Sequence, residues 1–199
     1  MKHIISTLAI VIFAFHVAFA SQHEKQDLLM HLTTHPQWHA AFKQQTHAID
    51  DSLNQTTYGI ISMQQHQALR WENKKPHHQI ILVTQKEIKW LDPDLKQVRI
   101  SAVHAKHQTQ ILSQWLLNPT MQALQHWHVA SQAPHQFTIT PAAHDKNSPL
   151  KKIVIQFDAH HSIQSITCQQ SMDQTLQIVF THMGAVLPKN AFDVSIPKH

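Results

Sequence analysis

Cysteine is almost missing from this 199-residue chain. Cys168 stands alone, so no internal disulfide can form in any redox compartment. It lies in an apolar-patterned stretch, which reads as a buried, inert thiol rather than a nucleophile. Glycine is nearly as scarce. Gly59 and Gly184 are the only two, which excludes a glycine-rich phosphate loop. No G-x-S-x-G, P-loop or H-E-x-x-H motif occurs. Asp50/Asp51 and Asp92/Asp94 sit in turn-like polar stretches and read as solvated turn carboxylates, not acid–base pairs. Histidines are so many that Ser/His/Asp sets can be chosen at will and carry no weight. An enzyme is therefore not expected. Runs of more than two Lys or Arg are also missing, and the formal net charge is only +4. That diffuse basicity excludes nucleic acid as a partner.

The N-terminus carries the features of an export signal. Lys2 gives a positive start, Ile4 to Phe15 form a mainly apolar run, and Ala18-Phe19-Ala20 is a small-x-small cleavage site. The run is too short and wrongly flanked for a lasting membrane span. Residues 1–20 are thus expected to be a signal peptide, with Ser21 as the mature start and 21–199 as one domain. No cysteine stands at the cleavage site to be lipidated. Histidine is abundant, 20 in all and 18 once His3 and His16 are removed. His35/His39, His104/His107 and His126/His128 have spacings that could hold a metal. The dispersed pattern, mixed with abundant Gln, instead predicts polar surface use, with most imidazoles exposed and no metal or other cofactor.

No internal repeat, linker or composition break divides the chain. Glu24 to Leu32 predicts a short amphipathic helix ended by Pro36. Trp38 to Thr46 fits helix or strand. Strands are predicted at Tyr58–Met63, Leu69–Trp71, Gln79–Thr84, Glu87–Leu91 and Lys96–Val103, with turn chemistry at Asp92-Pro93-Asp94. From Gln108 to Gln125 the period becomes helical, broken at Asn118-Pro119 and resuming at Met121. Period two then returns at Phe137/Ile139, Ile153/Ile155/Phe157, Leu176/Ile178/Phe180 and Phe192/Val194/Ile196. Short connections favour antiparallel neighbours. Each strand has one apolar and one polar face, so something must cover the apolar side. The fold class that follows is mainly β: a curved, unclosed antiparallel barrel or half-barrel with helices lying over its hollow.

Parity along these strands gives a candidate apolar lining: Ile61, Met63, Leu69, Trp71, Ile81, Val83, Ile88, Trp90, Val98 and Ile100, with Leu112, Trp115 and Leu116 on the helical cover. Met63 suits a variable partner because its thioether adapts. Ordinary core packing would use many of the same positions.

The middle of the chain resembles the periplasmic outer-membrane lipoprotein carrier family. Leu69-Arg70-Trp71-Glu72, Lys75-Pro76, the apolar run Ile80–Thr84 and Ile88-Lys89-Trp90-Leu91-Asp92-Pro93-Asp94-Leu95-Lys96-Gln97-Val98 follow the order of that family's F-x-W, K-P, apolar strand, L-W-x-Y-D and Q-V pieces. Phe42-x-Gln44 is similar to its F-x-Q opening segment, and Phe192, Val194 and Pro197 to its closing F-x-x-x-P strand. The resemblance implies an unclosed β-barrel with a helical lid and no reaction. It also implies a monomer that takes acylated lipoproteins from an inner-membrane ABC-type release complex to an outer-membrane receptor. Two departures stand out. The family commonly has an arginine six residues after the glycine matching Gly59, where it reaches the lid; here that position is Gln65. Gln65 is expected to make the lid contact with fewer donors and no charge. The sequence also stops two residues after Pro197, where many carriers continue, which leaves room for a same-fold carrier of another acylated lipid or glycolipid. A histidine-rich periplasmic metal-binding protein is the alternative from a different class. Export predicts a mature chain beginning at Ser21, checked by intact-mass measurement. Membrane-bound protein that retains Met1–Ala20 would contradict it.

Overall fold

A computed structural model describes residues 22–48, 50, 52–103, 108–142, 148–171 and 174–194. The expected signal peptide and Ser21 lie outside the described residues, as do Asp51, His104, His107, Ile196 and Pro197. Residues 22–34 form helix α1. The strands are β1 (Gln37–His47), β2 (Leu53–Gln64), β3 (Ala68–Lys75), β4 (Gln79–Thr84), β5 (Glu87–Asp92) and β6 (Gln97–Ala102), then, after helix α2 (Gln108–Leu117), β7 (Trp127–Ala133), β8 (Gln136–Pro141), β9 (Leu150–Phe157), β10 (Ile163–Gln170) and β11 (Thr175–Gly184).

Local chemistry explains the helix boundaries. In α1 the hydroxyls of Thr33 and Thr34 donate back to the carbonyls of Leu29 and Met30, closing the last turn before Pro36 ends it. Helix α2 stops where Asn118-Pro119 begins. The expected resumption at Met121–Gln125 is not a helix: residues 121–126 form tight turns, with Leu124 N bonded to Met121 O and Gln125 N to Gln122 O. These i+3 bonds use the same apolar spacing without a continued helix. The segment Trp38–Thr46 resolves as strand, with Trp38, Ala40 and Phe42 buried in alternation.

All eleven strands form one antiparallel sheet, ordered β6-β5-β4-β3-β2-β1-β11-β10-β9-β8-β7. Strands β6 and β7 are its two edges, so the sheet is curved but not closed. Its inner face carries the core. Directly opposed residues share a face, which gives rows such as Ala40, Ile61, Trp71, Ile81 and Trp90 on one half. The other half supplies rows such as Ile139, Ile153, Cys168 and Leu176. Leu28 and Leu32 of α1 and Ile111, Trp115, Leu116 and Leu117 of α2 complete the same core.

Two expectations are corrected here. Val98 and Ile100 do not face inward. Trp90 stands opposite Arg99, while Val98 stands opposite Leu91 and Ile100 opposite Lys89 on the outer face. They are 36% and 58% exposed, and Arg99 instead places its guanidinium over the Trp90 ring at 5.9 Å. Parity within a strand does not carry across a turn, and the register alone decides the face. Phe192 and Val194 likewise form no strand. Residues 189–192 are turn, drawn over the outer face by Arg70, whose Nη1 donates to Asp193 O at 2.6 Å. Among the described residues no helix is long and apolar enough to cross a membrane.

Gly59 is required by close approach. A Cβ there would collide with the Glu72 carbonyl oxygen and lie 2.6 Å from the Phe42 ring. Phe42 therefore packs across the bare glycine, beside a bulge in the β2–β3 pairing. Gly59→Ala is expected to destabilise the fold by about 1–3 kcal/mol, seen as a lower urea midpoint with an unchanged slope.

Candidate functional site

Helix α2 lies against β2 and β3 and does not fill the space beneath it. The hollow left between them has a volume of about 230 Å³. Leu69 and Trp71 of β3, Ile81 of β4, Ile166 of β10 and Leu176 and Ile178 of β11 form its floor, and Leu112 and Leu116 its roof. The Trp71 ring rests on Phe42 with centroids 4.4 Å apart, and its Nε1–H donates to Asn73 Oδ1 at 3.0 Å. That bond satisfies the one polar atom of the largest floor side chain. Gln44, Asn73, Gln79 and Ser113 supply the polar lining. Among the described residues no charged side chain lines this hollow. An apolar interior with a few amides and one hydroxyl suits aliphatic chains.

Five of the residues expected from sequence meet at this hollow: Leu69, Trp71, Ile81, Leu112 and Leu116. Ile61, Met63 and Ile88 sit on the same inner face but are fully buried in packing. Trp90 is half-buried against the core. Val83 lines a second crevice of about 260 Å³ along one flank of α2. Trp115 lines a third, about 570 Å³, which adjoins the second at Gln114, Gln122 and Ala123, with its ring edge-on to Trp127 at 4.9 Å. Ile166, Leu176 and Ile178 were missed as lining. The alternation of Leu176 and Ile178 was visible, but nothing in the order of residues said that β11 returns beside β1.

Gln65 makes its contact to the other helix. Its Nε2 donates to the Leu32 carbonyl near the end of α1 at 2.6 Å, and its backbone N–H donates to Pro36 O at 2.7 Å. The hold on α2 comes one residue later. His66 N donates to Leu117 O at 2.9 Å, and His66 Nδ1 lies 2.9 Å from Asn118 Oδ1. The β2–β3 turn thus grips the ends of both helices, and the division of labour follows from which way successive side chains point.

Cys168 is fully buried on the inner face, and burial pushes its thiol up to about 12. It is packing, not a nucleophile. Of the histidine pairs with metal-like spacing, His126 and His128 are exposed and His35 and His39 half-buried. His35 instead donates from Nε2 to the His160 carbonyl at 2.8 Å. The general surface use expected of histidine fails for one group. His31 is buried and gathers with His135 and His161. Burial holds the His31 pKa below the ordinary histidine value; the bond to the Asp27 carbonyl opposes this, while the nearby His161 and His135 reinforce it.

Comparison with known proteins covers nearly all of the described chain. Residues 34–195 match the family model described as outer membrane lipoprotein carrier protein LolA. No curated protein matches. Among solved structures, an uncharacterized conserved protein from Thermus thermophilus is similar at a TM-score of 0.51 and 11% identity, over 86% of this chain and 91% of that one. A LolA superfamily protein from Nitrosomonas europaea gives 0.49 and 9%, over 88% and 98%. An outer membrane lipoprotein-sorting protein domain from Vibrio parahaemolyticus gives 0.45 and 10%, over 86% and 95%. At such identities the first of these likenesses is one of fold alone.

His66 has φ 61°, a conformation that glycine adopts freely. His66→Gly therefore removes the ring's bond to Asn118 without straining the turn. A neutral hydrogen bond contributes about 0.5–1.5 kcal/mol net. The empty variant is expected to bind the apolar dye ANS about twofold to tenfold more strongly as α2 lifts more readily. Unchanged dye binding would remove His66 from the control of α2.

Proposed function

The chain belongs to the outer membrane lipoprotein carrier family, and from that footing we propose that it is a periplasmic carrier that shields the acyl chains of lipoproteins on their way from the inner to the outer membrane. The observation that carries this reading is the apolar hollow roofed by Leu112 and Leu116. Each buried methylene contributes about 0.8 kcal/mol, so one acyl chain of about a dozen methylenes is disfavoured in water by roughly 10 kcal/mol. A carrier must offset much of that and still let go.

The resting hollow, about 230 Å³, is smaller than the roughly 300–1,000 Å³ usual for ligand pockets. Loading then requires α2 to move. Movement of α2 has to lift Ile111, Trp115, Leu116 and Leu117 out of the core, and the two crevices beside the helix already leave part of its surface unpacked. Outward movement joins these spaces to the hollow and widens the apolar surface on offer. Loading from an inner-membrane ABC-type release complex and unloading to an outer-membrane receptor belong to the same proposal. A soluble monomer with Ser21 at its start would make the crossing.

The test uses inner-membrane vesicles that carry the release complex and a radiolabelled lipoprotein. Addition of the purified protein with ATP is expected to bring label into the soluble fraction. Leu112→Glu, which places a charge in the roof, should cut release at least tenfold. No release by the unaltered protein, where an established carrier of the family releases its cargo, rejects the reading. Mass analysis of lipids bound to the purified protein would then identify any other acylated cargo.

A further inference from the structure

Three histidines far apart in sequence converge outside the hollow. His31 lies on the buried side of α1, His135 in the turn between β7 and β8, and His161 in the turn between β9 and β10. One ring nitrogen from each lies within 4.8 Å of the others. His31 Nε2 is 3.1 Å from His135 Nδ1. The His31 and His161 rings stand edge to face, with centroids 4.4 Å apart. His161 Nδ1 is buried without a hydrogen-bond partner.

Contacts other than those between the rings also hold each histidine in place. The Asp158 carboxylate accepts from the backbone N–H groups of His160 and Ser162, both at 2.8 Å, which fixes the β9–β10 turn. His161 sits in that turn at φ 63°, and His135 sits in its own turn at φ 62°. Phe157 N donates to the His135 carbonyl at 2.9 Å and ties the two turns together. On α1, His31 Nδ1 is 2.9 Å from the Asp27 carbonyl. A carbonyl can only accept, so Nδ1 carries the proton and the Nε2 lone pair accepts from His135 Nδ1–H, a proton that a metal ion between the two nitrogens would replace. A metal-bound histidine is held in this way, with its far N–H donated to a carbonyl. The rings of Phe137 and Phe157 pack on His31 at 5.1 and 4.9 Å, forming an apolar wall that favours neutral imidazoles.

We propose that His31, His135 and His161 form a binding site for zinc or a similar late first-row divalent ion, which joins helix α1 to two hairpin turns. The group contains no carboxylate, so calcium and magnesium are poorly matched, whereas three neutral nitrogens suit zinc and copper(II). Zinc–nitrogen bonds of about 2.0–2.1 Å set tetrahedral ligands roughly 3.3 Å apart. One pair already stands near that separation, and the third ring needs a small inward movement. The fourth position remains for water or an exchangeable ligand. This site is independent of the carrier reading.

The test is equilibrium dialysis of the purified protein with zinc chloride, followed by metal analysis and thermal unfolding. One tightly held zinc per chain and a higher unfolding temperature are expected. The double variant His135→Asn with His161→Asn keeps side chains tolerant of left-handed turns, and it should lose that zinc and the thermal shift. Affinity is expected to fall at least tenfold. His128→Ala, an exposed histidine on β7, should retain both. The proposal is overturned if the unaltered protein keeps no zinc, if the double variant keeps as much as the unaltered protein, or if His128→Ala loses it.

Discussion

Everything in this molecule follows from a shortage of cover. Among the described residues eleven antiparallel strands present one continuous apolar face, and two short helices cover it from water. Strands spaced about 4.8 Å apart would make a flat sheet nearly 50 Å wide. The 10-residue α2 is only about 15 Å long. Curvature brings the two halves of the sheet toward each other and reduces what must be covered. What is left over under α2 is the hollow. The site is thus the remainder of an incomplete core, not a cavity carved into a complete one. That explains why the same side chains serve packing and lining.

The sequence made much of this readable, because a half-buried strand writes its faces into alternate residues. Strands β2, β8, β9 and β11 were recognisable in this way, β4 by its apolar β-branched run, and so was the need for helices above them. The failures have physical causes. Strands β7 and β10 went unseen as strands: β7 has a mixed, largely exposed pattern, and β10 mixes Ser, Thr and Gln among its buried residues. Val98 and Ile100 alternate correctly, yet register with Leu91 and Lys89 turns them outward. Phe192 and Val194 alternate too, but bonding to Arg70 takes that segment across the outer face. Ile166 and Ile178 lie opposite each other on neighbouring strands, and only the pairing of β1 with β11 brings their side of the sheet to the hollow.

Histidine use shows a second level at which composition was informative but incomplete. Among the described residues five non-glycine positions have positive φ, and four of them are His66, His135, His161 and His182. Histidine tolerates this conformation better than most side chains. The two glycines are spent elsewhere, at close approaches to Phe42 and His39. A chain short of glycine has turned three of its described hairpins, β2–β3, β7–β8 and β9–β10, with imidazoles. Two of those turns bring their rings to His31, so a local backbone need becomes a long-range cluster that sequence spacing could not reveal.

The pairing of β1 with β11 has a kinetic side. Strands β1 to β6 follow one another as neighbours, and so do β7 to β11. The single seam between these two runs joins His47 to Thr175. Contacts so distant along the chain form late, because the entropy of closing a long loop must be met before any pairing rewards it. The first half therefore cannot complete its sheet until the final strand is free to dock. A chain passed through a membrane from its N-terminus would meet this delay as an advantage. Its topology would leave the seam between the two halves open until the last strand had crossed.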